Sequence, residues 1–244
     1  MEHPSPAGLR PDTLARLRKV STATLATALF KRGLRQQYIQ NVQPLRVHAG
    51  SMVGPAFTLR YIPAREDLNT LDVFRDPTHP QRRGIEECPP GAVMVIDSRK
   101  DARAASAGGI LINRLQARGV AGVVTDGGFR DAQEIAGLAI WAFHQRPSAP
   151  TNLTLNHAVA LNEPIACGDA PIFPGDIMVG DGDGVLALPA HLADELAEEA
   201  TEMTAYEDFA TERVRAGHGI RGLYPATDPA NTALFAEWRQ THGR

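Results

Sequence analysis

Two apolar runs, Ala92 to Asp97 and Val120 to Thr125, bracket a stretch in which Ile110, Leu111 and Leu115 suit one face of a helix, opened by Gly108-Gly109 and ended by Gly119. A short run rich in β-branched residues reads as a buried strand, and apolar residues three to four apart read as a helix. The order strand, glycine-opened helix, strand is a βαβ-type crossover of about 30 residues, so an α/β fold is expected. The second strand empties into Asp126-Gly127-Gly128, and Arg130, Asp131 and Glu134 follow at once. Backbone freedom and charged side chains therefore converge at a strand end, where α/β folds place their sites.

These residue types suit one kind of chemistry. Arg130 offers a planar fork of N–H donors for a carboxylate or an enolate, and Asp131 can hold a hard cation through oxygen. Glu134 lies about one helical turn beyond Asp131, so a helix starting here puts both carboxylates on one face, able to hold a divalent metal or its water ligands. The same spacing fits a plain helix cap, with Asp131 at the N-cap, an acidic residue near N3 and Arg130 paired to either. Gly108-Gly109 presents free amides at a helix start, suited to an anion, although close packing explains two glycines equally. Asp97, Gly108-Gly109 and Arg130-Asp131 all fall where the strands of this unit finish, so an anion on the glycine amides could also meet Arg130.

Around this unit, Pro11-Asp12-Thr13-Leu14 opens a helix, Ser21 caps a second that ends at Gly33, and Met52 to Ile62 alternates as a strand. Residues 1–11 are Pro-rich and read as extended. Residues 63–84 read as a long polar connection with one helical turn around Leu68 to Phe74; Arg60 just before it, and Arg65 and His79 within it, are candidates to specify a substrate. Further strands are expected at Leu138 to Phe143, Ile165 to Cys167, Ile177 to Val179 and Val185 to Leu188, and a long helix from Leu192 to about Arg215. The expected organisation is an α/β domain over 1–216 and an extension over 217–244 whose apolar residues pack on a neighbouring subunit.

Several classes are disfavoured. A net charge of −3 with no basic stripe argues against nucleic acid. Two distant cysteines, Cys88 and Cys167, and eight scattered histidines lack zinc-ligand spacing. Asp176, Asp181 and Asp183 sit in Gly/Asp turns without the distal Glu of a calcium loop. No apolar stretch approaches a membrane span and no leader-like run opens the chain, so a cytoplasmic protein is expected.

Four segments together resemble one family: Val53 to Thr58, Pro90 to Asp97, Gly119 to Asp131, and Pro174-Gly175-Asp176 through Val185. In order and content they are similar to the RraA-like family, which includes 4-hydroxy-4-methyl-2-oxoglutarate (4-carboxy-4-hydroxy-2-oxoadipate) aldolases. The resemblance implies a swivelling β/β/α-type domain with N-terminal helices and a C-terminal helical extension, assembled as trimers or hexamers with sites between subunits. It implies a class II lyase that cleaves a small 4-hydroxy-2-oxo acid to pyruvate, with oxaloacetate decarboxylation as a side activity. Asp131 would be a ligand to Mg²⁺ or Mn²⁺, largely through waters. Arg130 would bind the 2-oxo acid and act with Glu134 in catalysis, and amides near Gly108, Gly109, Ile110 and Leu111 would receive the carboxylate. The aldolases carry an acid 21 positions before the Arg, where this chain has Gly109. The alternatives are a sugar-acid dehydratase on the same site, or a protein that inhibits an endoribonuclease by surface contact.

Overall fold

The structure is a computed structural model and describes residues 9–244; the extended reading of the first residues falls, for 1–8, outside them. Helices α1 (Pro11–Leu17) and α2 (Thr22–Lys31) come first. Ser21 caps α2 as expected, its Oγ accepting from the Thr24 N–H at 3.1 Å. Strand β1 (Gln43–Pro44) precedes the long β2 (Met52–Pro63), helix α3 (Pro80–Glu87) and β3 (Val93–Asp97). The crossover continues through β4 (Ala105–Ala107), α4 (Gly109–Ala117), β5 (Gly122–Thr125), β6 (Gly128–Phe129) and the short helix α5 (Ala132–Ala136). Strands β7 (Trp141–His144), β8 (Arg146–Pro147), β9 (Asn156–Leu161), β10 (Ile165–Cys167), β11 (Ala170–Ile172), β12 (Ile177–Asp181) and β13 (Gly184–Leu188) lead to α6 (Ala193–Arg215) and α7 (Pro229–His242).

The main sheet runs β1-β7-β5-β3-β2-β12-β13, parallel from β2 to β7 and antiparallel at both edges. β9 adds alongside the far half of β2, beyond the stretch that pairs with β12. Residues 37–44 link the two edges: Ile39 N–H donates to Val185 O at 2.9 Å, and Gln43 then pairs with His144. The sheet is thereby nearly closed into a barrel, with helices at both ends. β4, β6 and β8 form a small parallel sheet beside the site.

Side-chain alternation divides the core. Val93 and Val95 of β3 face the barrel interior with Val124, Phe143, Met178 and Val185. Met94 and Ile96 face outward, beneath Ile85 of α3 and Ile112 and Leu115 of α4. On the other side, Leu186, Leu188 and Val179 pack on Leu25, Leu29, Leu196 and Ala200 of α2 and α6. Each such side chain contributes about 1.5–3 kcal/mol on burial, so the βαβ unit rests on a stiff floor.

The α/β expectation holds, with local corrections. The connection over 63–84 contains a 3₁₀ turn at Leu71–Arg75 and the start of α3, a helix the polar composition concealed. A short strand, β4, which no sequence pattern marked, holds Ser106 and Ala107 just before the helix that opens at Gly109. The strand expected at Leu138 to Phe143 begins only at Trp141, and β9 was not anticipated. Within the 217–244 extension, Leu223, Phe235 and Trp238 pack against Tyr206, Phe209 and Ala210 of α6 in the same chain. No helix of the described residues is long and apolar enough to cross a membrane.

Candidate active site

The glycine turn after β5 is held from below. Asp126 is buried and accepts from the N–H groups of Ser98 at 2.7 Å, Gly168 at 3.0 Å and Lys100 at 3.1 Å. Burial pushes its carboxyl upward, against the downward pull of these three donors. Ser98, Ser106 and Thr125 join their hydroxyls at 2.7 to 3.2 Å beneath Gly127. A Cβ on Gly127 would stand 2.6 Å from Ser106 Oγ, so only glycine fits over this network. Asp97 is also structural: it accepts from the Arg99 N–H at 2.9 Å, and burial raises its carboxyl.

From this base the chain runs through β6 to Arg130, whose N–H donates to Ala107 O at 3.1 Å. Asp131 then turns the chain into α5 with φ 61°, a left-handed conformation rare for a residue with a side chain. Its side chain makes no cap to α5. Asp131 Oδ2 instead accepts from the Gly109 N–H at 3.0 Å and lies 3.4 Å from Arg130 Nε. The first turn of α5 carries Glu134, whose Oε1 accepts from Asn113 Nδ2 at 2.9 Å. A Cβ on Gly108 would stand 2.8 Å from Arg130 Cγ and 2.9 Å from Asp131 Oδ2, and one on Gly109 would stand 2.8 Å from Glu134 Oε2. The two glycines leave room for three side chains that press against the start of α4.

Arg130, Asp131, Gly108, Ile110 and Leu111 line a cleft of about 170 Å³. Of the amides there, that of Gly109 serves Asp131 and that of Leu111 closes on Gly108 O at 3.1 Å. The Ile110 N–H has no partner among the described residues, and its side chain is 84% exposed at the mouth. Ala105 and Ala107 of β4 form its floor, and the facing wall comes from residues that sequence reasoning did not single out: Phe74, Gln81, Arg82, Thr151 and Asn152. Pro80 at the first turn of a helix was the one signal for Gln81 and Arg82; none marked Thr151 and Asn152. Arg60, Arg65 and His79 do not line the cleft; Arg65 is paired with Asp67 at 2.7 Å, and His79 is buried at the start of α3.

The donor set bears on a metal. Among the described residues no three His, Cys, Asp or Glu side chains converge. Asp131 Oδ1 and Glu134 Oε2 have no hydrogen-bond partner there, and both carboxylates crowd Gly109. Two oxygen donors and no nitrogen or sulfur suit a hard cation that keeps most of its waters, so the residues fit Mg²⁺ or Mn²⁺. Asp181 ends β12 and Asp183 lies in the turn after it: Asp181 accepts from the Thr22 N–H and Oγ1, each at 2.7 Å, and ties α2 to the β12–β13 turn.

Comparisons with known proteins agree with this architecture. A sequence model of the family described as RraA-like (Aldolase/RraA) matches residues 22–187. The chain is 30% identical over 204 residues to a Halalkalibacterium halodurans protein provisionally named 4-hydroxy-4-methyl-2-oxoglutarate aldolase, covering 83% of this chain and 88% of that protein. It is similar to the crystal structure of Streptomyces coelicolor RraAS2, described as an unusual member of the RNase ES inhibitor RraA protein family. The identity is 27% and the TM-score 0.72, over 83% of this chain and 97% of that one. An uncharacterized protein from Pseudomonas syringae pv. tomato str. DC3000 shares the fold at 23% identity and a TM-score of 0.78, over 92% of this chain and 98% of that one.

Proposed function

The chain belongs to the RraA-like (Aldolase/RraA) family, and from that premise we propose that it is a divalent-metal-dependent lyase that cleaves a small 4-hydroxy-2-oxo acid to pyruvate. The observation that carries this reading is the meeting of Arg130 and Asp131 with the N-terminus of α4 in one cleft, with the Glu134 carboxylate beside Gly109 at its edge. The substrate carboxylate would lie on the start of α4, where the free Ile110 N–H and the helix dipole favour an anion. Lewis acidity toward the 2-oxo group is what a Mg²⁺ or Mn²⁺ ion at Asp131 supplies.

Glu134 takes the proton of the 4-hydroxyl, the C4–O bond becomes a carbonyl as the C3–C4 bond breaks, the C4 fragment leaves as a carbonyl compound, and the C3–C4 electron pair passes into the enolate of pyruvate. Arg130 holds the enolate oxygen, answering the charge that develops as the bond breaks. Protonation at C3 then releases pyruvate. Oxaloacetate decarboxylation would use the same enolate. The space beside Gly109, where the aldolases carry an acid, is taken by the carboxylate of Glu134, which supports Glu134 as the group that moves the proton. A neighbouring subunit in a trimer or hexamer would cover the exposed Ile110 at the cleft mouth and the outer side of 217–244; sedimentation velocity reads that state.

The test is pyruvate release from oxaloacetate and a panel of 4-hydroxy-2-oxo acids by wild type and Arg130→Ala. Arg130 is half-exposed and its ion pair with Asp131 is 3.4 Å long, so the variant should fold normally while kcat falls by about 100-fold or more. Undiminished turnover in Arg130→Ala removes the assignment. The likeness to RraAS2 favours one other reading, inhibition of an endoribonuclease by contact; co-purification with such an enzyme, together with no turnover on any acid, would support it.

A further inference from the structure

The carboxylate of Glu134 is held by a side chain to which the reaction above gives no part. Asn113, on α4, donates from Nδ2 to Glu134 Oε1 at 2.9 Å and to the carbonyl oxygen of Gly109, one turn earlier in the same helix, also at 2.9 Å. A side-chain amide nitrogen carries two hydrogens, and here each has its own acceptor. Turning the amide over would set its oxygen against two acceptor oxygens, so the nitrogen faces Glu134. One side chain thereby ties the Glu134 carboxylate to the backbone of the first turn of α4.

The two helices do not need this bond to stay together. Gln116, about one turn beyond Asn113 on α4, accepts at Oε1 from the N–H groups of Ala139 at 2.7 Å and Ile140 at 3.0 Å, just past the end of α5. Ile135 of α5 is buried in one cluster with Ile112 and Leu115 of α4. These contacts fix α5 against α4, while Asn113 is half-buried and Glu134 exposed. What the Asn113 bond adds is the orientation of one carboxylate, since an exposed glutamate otherwise samples several rotamers. With Oε1 engaged, Oε2 has no hydrogen-bond partner among the described residues and lies over Gly109, 2.8 Å from where a Cβ there would stand.

We propose that Asn113 is a positioning residue for aldol cleavage: it pins Oε1 of Glu134 to the first turn of α4 and so presents Oε2 as the oxygen that takes the 4-hydroxyl proton. The assignment rests on the lyase reading, with Glu134 as the base. The substrate carboxylate lies on the same turn of α4 in that reading, so base and substrate share one rigid reference, the condition for a productive contact. Asn113 itself touches neither the substrate nor the reacting atoms.

The test compares two reactions of one cleft. Oxaloacetate loses CO₂ to give the same enolate and has no 4-hydroxyl proton to surrender, so its decarboxylation does not call on the base. On the full chain with Mg²⁺, Asn113→Ala should therefore lower the ratio of kcat for 4-hydroxy-4-methyl-2-oxoglutarate cleavage to kcat for oxaloacetate decarboxylation by about 10-fold or more, with KM little changed. Asn113→Asp, which keeps the shape, removes the donors and adds a like charge, should lower it at least as far, and Asn113→Gln, which keeps an amide donor, should retain part of it. In a Glu134→Gln background Asn113→Ala should cost less than about two-fold in cleavage, because the group it positions has lost its function. Alanine suits an exposed helix face, so the variant folds, and circular dichroism checks it. An unchanged ratio, an equal fall in both reactions, or full additivity with Glu134→Gln overturns the proposal. Crystal structures of wild type and Asn113→Ala read the same claim without turnover: Glu134 should leave the face of Gly109 in the variant, and an identical position in both overturns it. Displacement of Glu134 in the variant, with no pyruvate release by wild type, would keep Asn113 as the residue that positions it and remove the lyase reading; pyruvate release with Glu134 and the ratio blind to Asn113 would do the reverse.

Discussion

Replacing Gly109 by alanine tests the position of Glu134 without touching its chemistry. The new Cβ would stand 2.8 Å from Glu134 Oε2 and 3.1 Å from both Cδ and Oε1, so the carboxylate has to move. Gly109 lies in α4 with ordinary helical backbone, where alanine is the better residue by about 0.5–1 kcal/mol. Pushing the exposed Glu134 side chain from its rotamer costs about 0.5–1.5 kcal/mol, and the hydrogen bond from Asn113 Nδ2 is strained or lost. These terms nearly cancel, so the thermal midpoint should stay within about 3 °C of wild type. Positioned acid–base catalysis is worth about 100- to 10,000-fold. With Glu134 present but displaced, kcat should fall by roughly 10- to 100-fold, and Glu134→Gln should lose the full factor. Differential scanning fluorimetry with steady-state pyruvate release reads both quantities. Wild-type kcat in Gly109→Ala would refute the role given to Glu134.

Further outcomes follow from packing and charge. A Cβ on Gly54 would lie 2.2 Å from the Gly91 carbonyl oxygen, and backbone cannot swing aside. Gly54→Ala should therefore cost about 1–3 kcal/mol or more in chemical denaturation; an unchanged midpoint would contradict the tight approach of β2 to the turn before β3. Buried His144 is held neutral by desolvation, its pKa lowered to about 4 from 6.5. The unfolded chain binds the extra proton between these values, so stability falls as pH drops from about 6.5 to about 4, by up to about 3 kcal/mol from this group. His144→Phe should flatten that slope in denaturation curves taken at pH 7, 5.5 and 4.5; an equal slope would show that His144 is not its source.

Much of the fold was legible because its strands carry their own signal. In β3 and β13 the β-branched and aliphatic residues mark buried strands, and Ser21, Gly33 and Gly119 mark helix ends. α3 was hidden because its buried stripe is Gln81, Gly84 and Ile85, with a single aliphatic side chain. A Cβ on Gly84 would stand 3.0 Å from Leu161 Cδ1, so this glycine serves close packing inside a helix that the polar composition conceals. In the site, Arg130, Asp131 and Glu134 were visible because they follow one strand end. The facing wall was not, since Phe74, Arg82 and Asn152 arrive from segments remote in sequence, and no local pattern records which groups folding leaves unpaired. The left-handed turn at Asp131 was equally invisible: a cap reading of this residue is natural, yet its carboxylate reaches across to Gly109 instead.

The most direct test of the central claim is pyruvate release from 4-hydroxy-4-methyl-2-oxoglutarate by the purified chain, first with Mg²⁺, then with excess EDTA, then with Mg²⁺ or Mn²⁺ restored. The account predicts turnover that EDTA abolishes and either cation restores, and that Arg130→Ala lacks under every condition. Turnover indifferent to EDTA and to Arg130, or none with either cation, would contradict it.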